Sequence, residues 1–151
     1  MRGALPLVML VAAISVGSTA MGASQTIPGV YDARQAHVDY MLKCQGCHRP
    51  DGSGDDRSNP PMRGVVARFL SVLGGREFLA QVPGVATSNL DDRHLANLVN
   101  WTLYTFDAAH VPAGFEPYTA SELGALRQYP LRLERAATRA RLVAGFKQPN
   151  F

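Results

Sequence analysis

What the chain lacks narrows its chemistry before any motif is read. Its 151 residues contain only two cysteines, so a zinc site assembled from matched Cys or Cys/His pairs has no second half. No methionine follows Met62, and the formal charge of +3 is too small to point to nucleic acid. Acidic residues are scattered without a paired arrangement, and neither a nucleophile motif nor a phosphate loop occurs. Internal repeats are missing, and so are the alternating runs that mark strands, so the chain reads as all-α. At 46% hydrophobic and 18% charged, it has room for one modest globular domain and little more.

Long apolar runs are lacking too. Residues 5–16 are apolar apart from Pro6 and Ser15, which is short of the roughly twenty residues a helix needs to span a bilayer. Arg2 supplies a positive start, and Ser18-Thr19-Ala20 and Met21-Gly22-Ala23 offer cleavage points. Residues 1–23 therefore read as an export signal removed from a periplasmic protein, with an uncleaved membrane anchor as the other reading.

Against these absences stands Cys44-Gln45-Gly46-Cys47-His48. Two cysteines at this spacing can each add across a haem vinyl group, which leaves the following imidazole under the iron as its axial ligand. A thioredoxin-like motif would follow a strand, and none precedes Cys44. A disulfide between the two would close a very small loop and leave His48 unexplained. Export and the haem motif support one another, because a haem attached in this way is fitted to the unfolded chain after export.

Taken in order, residues 31–43 form a helix running straight into Cys44, with Ala36 and Tyr40 one turn apart on a face that another helix could approach closely. A glycine- and aspartate-rich loop over residues 49–63 ends in Asn59-Pro60-Pro61-Met62-Arg63-Gly64. Short helices are predicted over 65–73 and 76–81, stopped by Gly74-Gly75 and Pro83-Gly84. The clearest helix spans 91–106, with Asp91 as N-cap and Leu95, Leu98, Val99, Thr102, Leu103 and Phe106 on one face. Thr119-Ala120-Ser121-Glu122 has the form of a capping box for a helix over 120–129. Residues 131–145 are amphipathic, with Leu133, Ala136, Ala137, Ala140 and Val143 as the apolar stripe and Arg132, Arg135 and Arg139 opposite. This basic tail is either a solvated face or a surface for an acidic partner or anionic lipid.

An aromatic-bearing helix entering CxxCH, a glycine-rich loop, a proline then an apolar residue then glycine, two short helices and a strong final helix resemble the small monohaem class I cytochromes c. The likeness covers residues 31–106. It implies a cytochrome c-like helical fold around one covalently attached haem c, with extra C-terminal helices. The corresponding division is a signal (1–23), a cytochrome domain (24–106) and a C-terminal extension (107–151). The resemblance makes Cys44 and Cys47 the attachment points and His48 the proximal iron ligand. Pro60 becomes the carbonyl partner of the imidazole, Met62 a haem-packing residue, and Trp101 or Tyr104 the aromatic partner of Tyr40. Where such proteins carry a methionine ligand before the last core helix, this chain has Val82. The sixth ligand is then His110, His94 or Met62, or the site is open. His37 is expected on the surface.

Two functions follow as expectations. One is a periplasmic carrier passing single electrons between a dehydrogenase or other redox protein and a downstream acceptor. The other is a haem protein whose open face takes a peroxide, nitric oxide or carbon monoxide. A cytochrome subunit fits the chain better than a stand-alone enzyme. Membrane contact would come through an uncleaved signal or the basic tail.

Overall fold

The computed structural model describes residues 26–55 and 58–146. The export signal expected over residues 1–23 lies outside the described residues. Helices follow in the order α1 (Ala33–Lys43), α2 (Gln45–His48), α3 (Gly75–Gln81), α4 (Pro83–Ala86), α5 (Asp92–Asp107), α6 (Ala120–Leu126) and α7 (Arg135–Ala144). Two 3-10 turns, Val66–Ser71 and Ala108–His110, precede α3 and follow α5. No strand occurs among the described residues, and the fold is all-α. None of the described helices is long and apolar enough to cross a membrane.

The crossing of α1 and α5 frames the molecule. Each helix begins at an aspartate that satisfies a free backbone donor: Asp32 accepts from the Gln35 N–H at 2.9 Å and Asp91 from the His94 N–H at 2.8 Å. At the crossing Ala36 is fully buried beside Tyr40, Leu98 and Trp101. The Tyr40 ring lies 5.6 Å from Trp101 and 5.0 Å from Phe106. Trp101 is thus the partner of Tyr40, whereas Tyr104 packs against a second cluster.

Two buried amides of α5 lock the neighbouring chain. Asn97 donates to the Asp32 carbonyl at 2.8 Å and accepts from the Tyr31 N–H at 3.0 Å, fixing where α1 starts. Asn100 donates to the carbonyls of Gly29 at 3.1 Å and Tyr118 at 2.9 Å, and its own oxygen takes the Tyr118 N–H at 2.9 Å. Buried amides are tolerated only when satisfied in this way.

The second cluster gathers Phe69, Phe78, Leu95 and Leu103 with Tyr118, Leu123, Leu142 and Phe146, so it is shared between the segments before and after Phe106. Burying a side chain such as Leu123 contributes about 1.5–3 kcal/mol.

Helix α3 stops before Pro83-Gly84 as the sequence predicts, and a separate short helix, α4, begins at Pro83, since proline is well tolerated at the first position of a helix. The structure departs from the sequence reading in three places. The helix expected over 65–73 is a 3-10 turn, Val66–Ser71. Helix α6 ends at Leu126 and α7 begins only at Arg135. The tail's apolar stripe does not form a buried face: Leu133 is 99% exposed and Ala136, Ala137 and Ala140 are not buried either. Leu142 and Phe146 are buried instead, Phe146 meeting Phe69 edge-on at 4.9 Å. Periodicity defines a stripe, but packing buries only the end of the segment.

Candidate functional site

Helix α1 ends at Cys44, whose carbonyl accepts the N–H groups of Cys47 at 3.1 Å and His48 at 2.9 Å. That single turn gathers two free thiols and an imidazole. Arg49 closes it at φ 60 and ψ 164, a backbone region that costs a residue with a side chain about 1–3 kcal/mol. The Tyr40 hydroxyl holds it there by donating to the Arg49 carbonyl at 2.5 Å. The aromatic of the α1–α5 crossing therefore also fixes the exit from the motif.

The Cys44 thiol does not suit thiol redox chemistry. Burial, then the charges of Asp39 and Cys47, push the Cys44 thiol up to about 11. A redox-active cysteine pair needs the opposite shift. Burial lowers the pKa of His48, partly offset by the Pro60 carbonyl and by Asp55, so the ring is neutral near pH 7 and keeps a lone pair for a metal. His48 Nδ1 is buried and makes no hydrogen bond of ordinary geometry among the described residues, although the Pro60 carbonyl is near enough to act on the ring. A ligating histidine hands one N–H to such a carbonyl and binds iron through the other nitrogen. The residues present fit a haem.

The loop behind His48 is tied to it at close quarters. The Gly54 N–H donates to the His48 carbonyl at 3.1 Å, and Asp55 caps the turn by accepting from Ser58 N–H at 2.7 Å and Asn59 Nδ2 at 2.5 Å. Gly54 has φ +65, and a Cβ there would strike the carbonyls of Asn59 and Pro60. Alanine at Gly54 should displace Pro60 from His48 and cost about 1–2 kcal/mol from the backbone alone. The expected readouts are a lower denaturation midpoint and a perturbed ferric spectrum. Met62, half-buried, packs on the Tyr40–Trp101 cluster that also holds Cys44.

The C-terminal segment fastens the stretch between α3 and α5. Leu131 N–H donates to the Gln81 carbonyl at 2.9 Å. The Arg127 guanidinium donates to the carbonyls of Ala86 at 3.2 Å and Leu90 at 2.8 Å, to Asp92 at 3.0 Å, and to the Ser88 carbonyl. Arg76 anchors α6 through both oxygens of Glu122, at 2.5 and 2.7 Å, and lies 4.1 Å over the Tyr118 ring. Glu122 is thereby drawn away from the reciprocal half of the capping box, and only Thr119 caps α6. Leu90, held by Arg127, packs against both clusters, including the one around Cys44. No residue from 82 to 92 carries an imidazole, thiol, thioether or amine. In the sequence Arg127 is one arginine of a basic tail, and nothing local marks its distant acceptors.

Of the three histidines outside the motif, His37 lies on α1, His94 on α5 and His110 in the 3-10 turn that follows α5. His37 stacks on Trp101 at 5.6 Å, and His94 faces Asp39 at 3.5 Å. His110 Nδ1 is hydrogen-bonded to Asp107 at 2.5 Å, and the second oxygen of that buried carboxylate takes the Ala67 N–H at 2.8 Å. At the same end of α5 the Phe106 carbonyl accepts the Gly64 N–H at 2.9 Å. His110 thus belongs to the corner where α5 meets the loop that follows Pro60. Among the described residues no group of three or more His, Cys, Asp or Glu could hold a metal ion.

No family model matches the chain. It is 33% identical over 103 residues to a cytochrome c-552 of Thermus thermophilus, an overlap covering 56% of this chain and 79% of the relative. A second cytochrome c-552, from a particular strain of the same organism, is likewise 33% identical over 103 residues, covering 56% of this chain and 70% of the relative.

Proposed function

Because the chain belongs to the c-type cytochromes, we propose that it is an exported, periplasmic carrier that passes single electrons between a dehydrogenase or other redox protein and a downstream acceptor. One observation carries the site: a single turn bears two free thiols and a neutral, half-buried imidazole with a carbonyl beside it. In this reading Cys44 and Cys47 bind one haem c covalently and His48 is its proximal ligand. Pro60 orients His48, and Met62 packs beside the group. When bound, the haem supplies reversible one-electron chemistry.

The protein's contribution is to keep its surroundings still. Tyr40 anchors Arg49, Gly54 anchors His48, and the Tyr40–Trp101–Phe106 cluster excludes water behind the motif. Little rearrangement then accompanies a change of charge. Redox titration of the holoprotein, followed by mixing with a candidate reduced dehydrogenase, tests this. Reversible reduction on the timescale of the partner is expected, and a haem that does not cycle would sink the carrier reading.

A second reading is favoured by the stretch that Arg127 and Leu131 fasten. Residues 82–92 offer no imidazole, thiol, thioether or amine, and His110 is committed to Asp107 in a corner beside the proximal loop. We assign His110 to that corner, which leaves the sixth position to a small exogenous ligand. The ferrous protein is then expected to bind carbon monoxide, and His110→Ala to leave the ferric paramagnetic resonance spectrum unchanged. A low-spin ferrous spectrum indifferent to carbon monoxide would remove this reading.

A further inference from the structure

Helix α7 presents its apolar side to solvent. Ala136, Ala140 and Ala144 follow one another a turn apart, Ala137 lies beside them, and all four are exposed. Just before the helix, Leu133 is 99% exposed and Tyr129 73% exposed. The other side is seated, with Leu142 and Phe146 buried in the cluster around Phe69 and Phe78. A leucine and a tyrosine held clear of the surface forgo burial that the fold uses elsewhere.

The charges around this face are unbalanced. Residues 24–126 hold eight basic and eleven acidic side chains, whereas residues 127–151 hold six basic and one acidic. Arg127 is engaged by Asp92 and by the carbonyls of residues 86–90. Arg132, Arg135 and Arg141 are exposed, and Arg139 is partly buried, 6.0 Å over the Phe69 ring. Among the described residues none of these four forms an ion pair. In helical projection Arg139 borders the alanine stripe on one side and Arg141 on the other. Side chains so placed can lay their stems along the stripe and raise their guanidinium groups beside it.

We propose that this face of α7 docks on an anionic lipid surface, with Leu133 and Tyr129 entering the headgroup region and the arginines pairing with lipid phosphates. An arginine fork matches a phosphate, and an apolar stripe flanked by arginines is the pattern of a helix lying in the interface plane. An acidic protein would satisfy the charges too. It would need a ready-made hole for a leucine that protrudes without neighbours, whereas a fluid bilayer yields to one. The acidic body is repelled by the same surface, which orients the molecule with α7 toward it. Cys44 packs on the other cluster, so the docking face and the attachment turn are built on different parts of the core. Docking requires neither haem nor a redox partner; only its placement at the periplasmic side of a membrane rests on the export reading.

The test is co-sedimentation of the holoprotein with vesicles of phosphatidylcholine alone and of phosphatidylcholine mixed with phosphatidylglycerol. Binding to the mixed vesicles only, weakened by salt, is expected. Glutamine at Arg132, Arg135 and Arg141 together should lower the partition about a hundredfold, about fivefold for each charge removed. Leu133→Ala should lower it at least about threefold with the charge unchanged. Circular dichroism of both variants should match the parent, since all four positions are exposed. Equal binding to neutral and mixed vesicles, or a triple variant that binds as the parent does, would overturn the proposal. So would undiminished binding by Leu133→Ala together with tight binding of the parent to polyglutamate, which would assign the face to an acidic protein. A parent dimer in gel filtration that the triple variant lacks would overturn it in favour of a second copy. A preparation without haem that still binds mixed vesicles would fail the haem reading and support this one.

Discussion

Alanine at both Cys44 and Cys47 is expected to abolish covalent haem. Pigment that survives denaturing electrophoresis in the parent protein should fall by at least about tenfold in the double variant, since neither thioether can form and affinity then rests on non-covalent contacts and one ligand. The geometry makes the loss local. Both N–H bonds to the Cys44 carbonyl belong to the backbone and survive the substitutions, so the turn itself should persist. His48→Ala separates the roles further. Attachment through the cysteines should remain, while the ferric spectrum changes because the proximal nitrogen is gone. If covalent haem were recovered from the double cysteine variant at the parental level, the assignment of this turn would fail.

Alanine at Arg127 is expected to produce the largest stability loss outside the motif, about 3 kcal/mol. The side chain is 12% exposed and serves four acceptors, three of them carbonyls of residues 86–90. Hydrogen bonds involving a charged group contribute about 1.5–3 kcal/mol each before partial compensation by water. Arg127→Lys should recover only part of the loss, because one ammonium cannot present the planar fork that reaches both sides of the loop. Denaturant midpoints of parent, lysine and alanine proteins check the order. Limited proteolysis should also show cleavage between residues 82 and 92 in the alanine variant first, since the side-chain bonds from Arg127 to the carbonyls of that stretch are then gone. An unchanged midpoint in the alanine variant would show that the loop is held by packing of Leu90 and Val85 instead.

Much of the scaffold was legible because its signals are local. The N-caps at Asp91 and Thr119, the apolar face of α5, the helix entering Cys44 and the Ala36–Tyr40 spacing all depend on residues within a turn or two of one another, and each appears in the structure. The buried polar positions were not legible. Asn97 and Asn100 look like interruptions of the α5 face until their partners at Asp32, Gly29 and Tyr118 are seen. The tail stripe failed for the complementary reason: a helix can be amphipathic over its whole length and bury only its end.

By itself the sequence placed two thiols and an imidazole at fixed spacing in the central turn, the pattern on which the proposed haem attachment rests. It also determined that residues 82–92 hold no imidazole, thiol, thioether or amine, because that is a matter of which side chains exist. Only the tertiary structure decided how those residues are held, that His110 is engaged by Asp107, and that Asp39 meets His94 beside Cys44. Each of these joins separate segments or a helix end to a turn, and depends on how the chain is folded back on itself. Whether a charge is exposed, paired or buried is settled by packing, and packing is where this cytochrome's electrostatics reside.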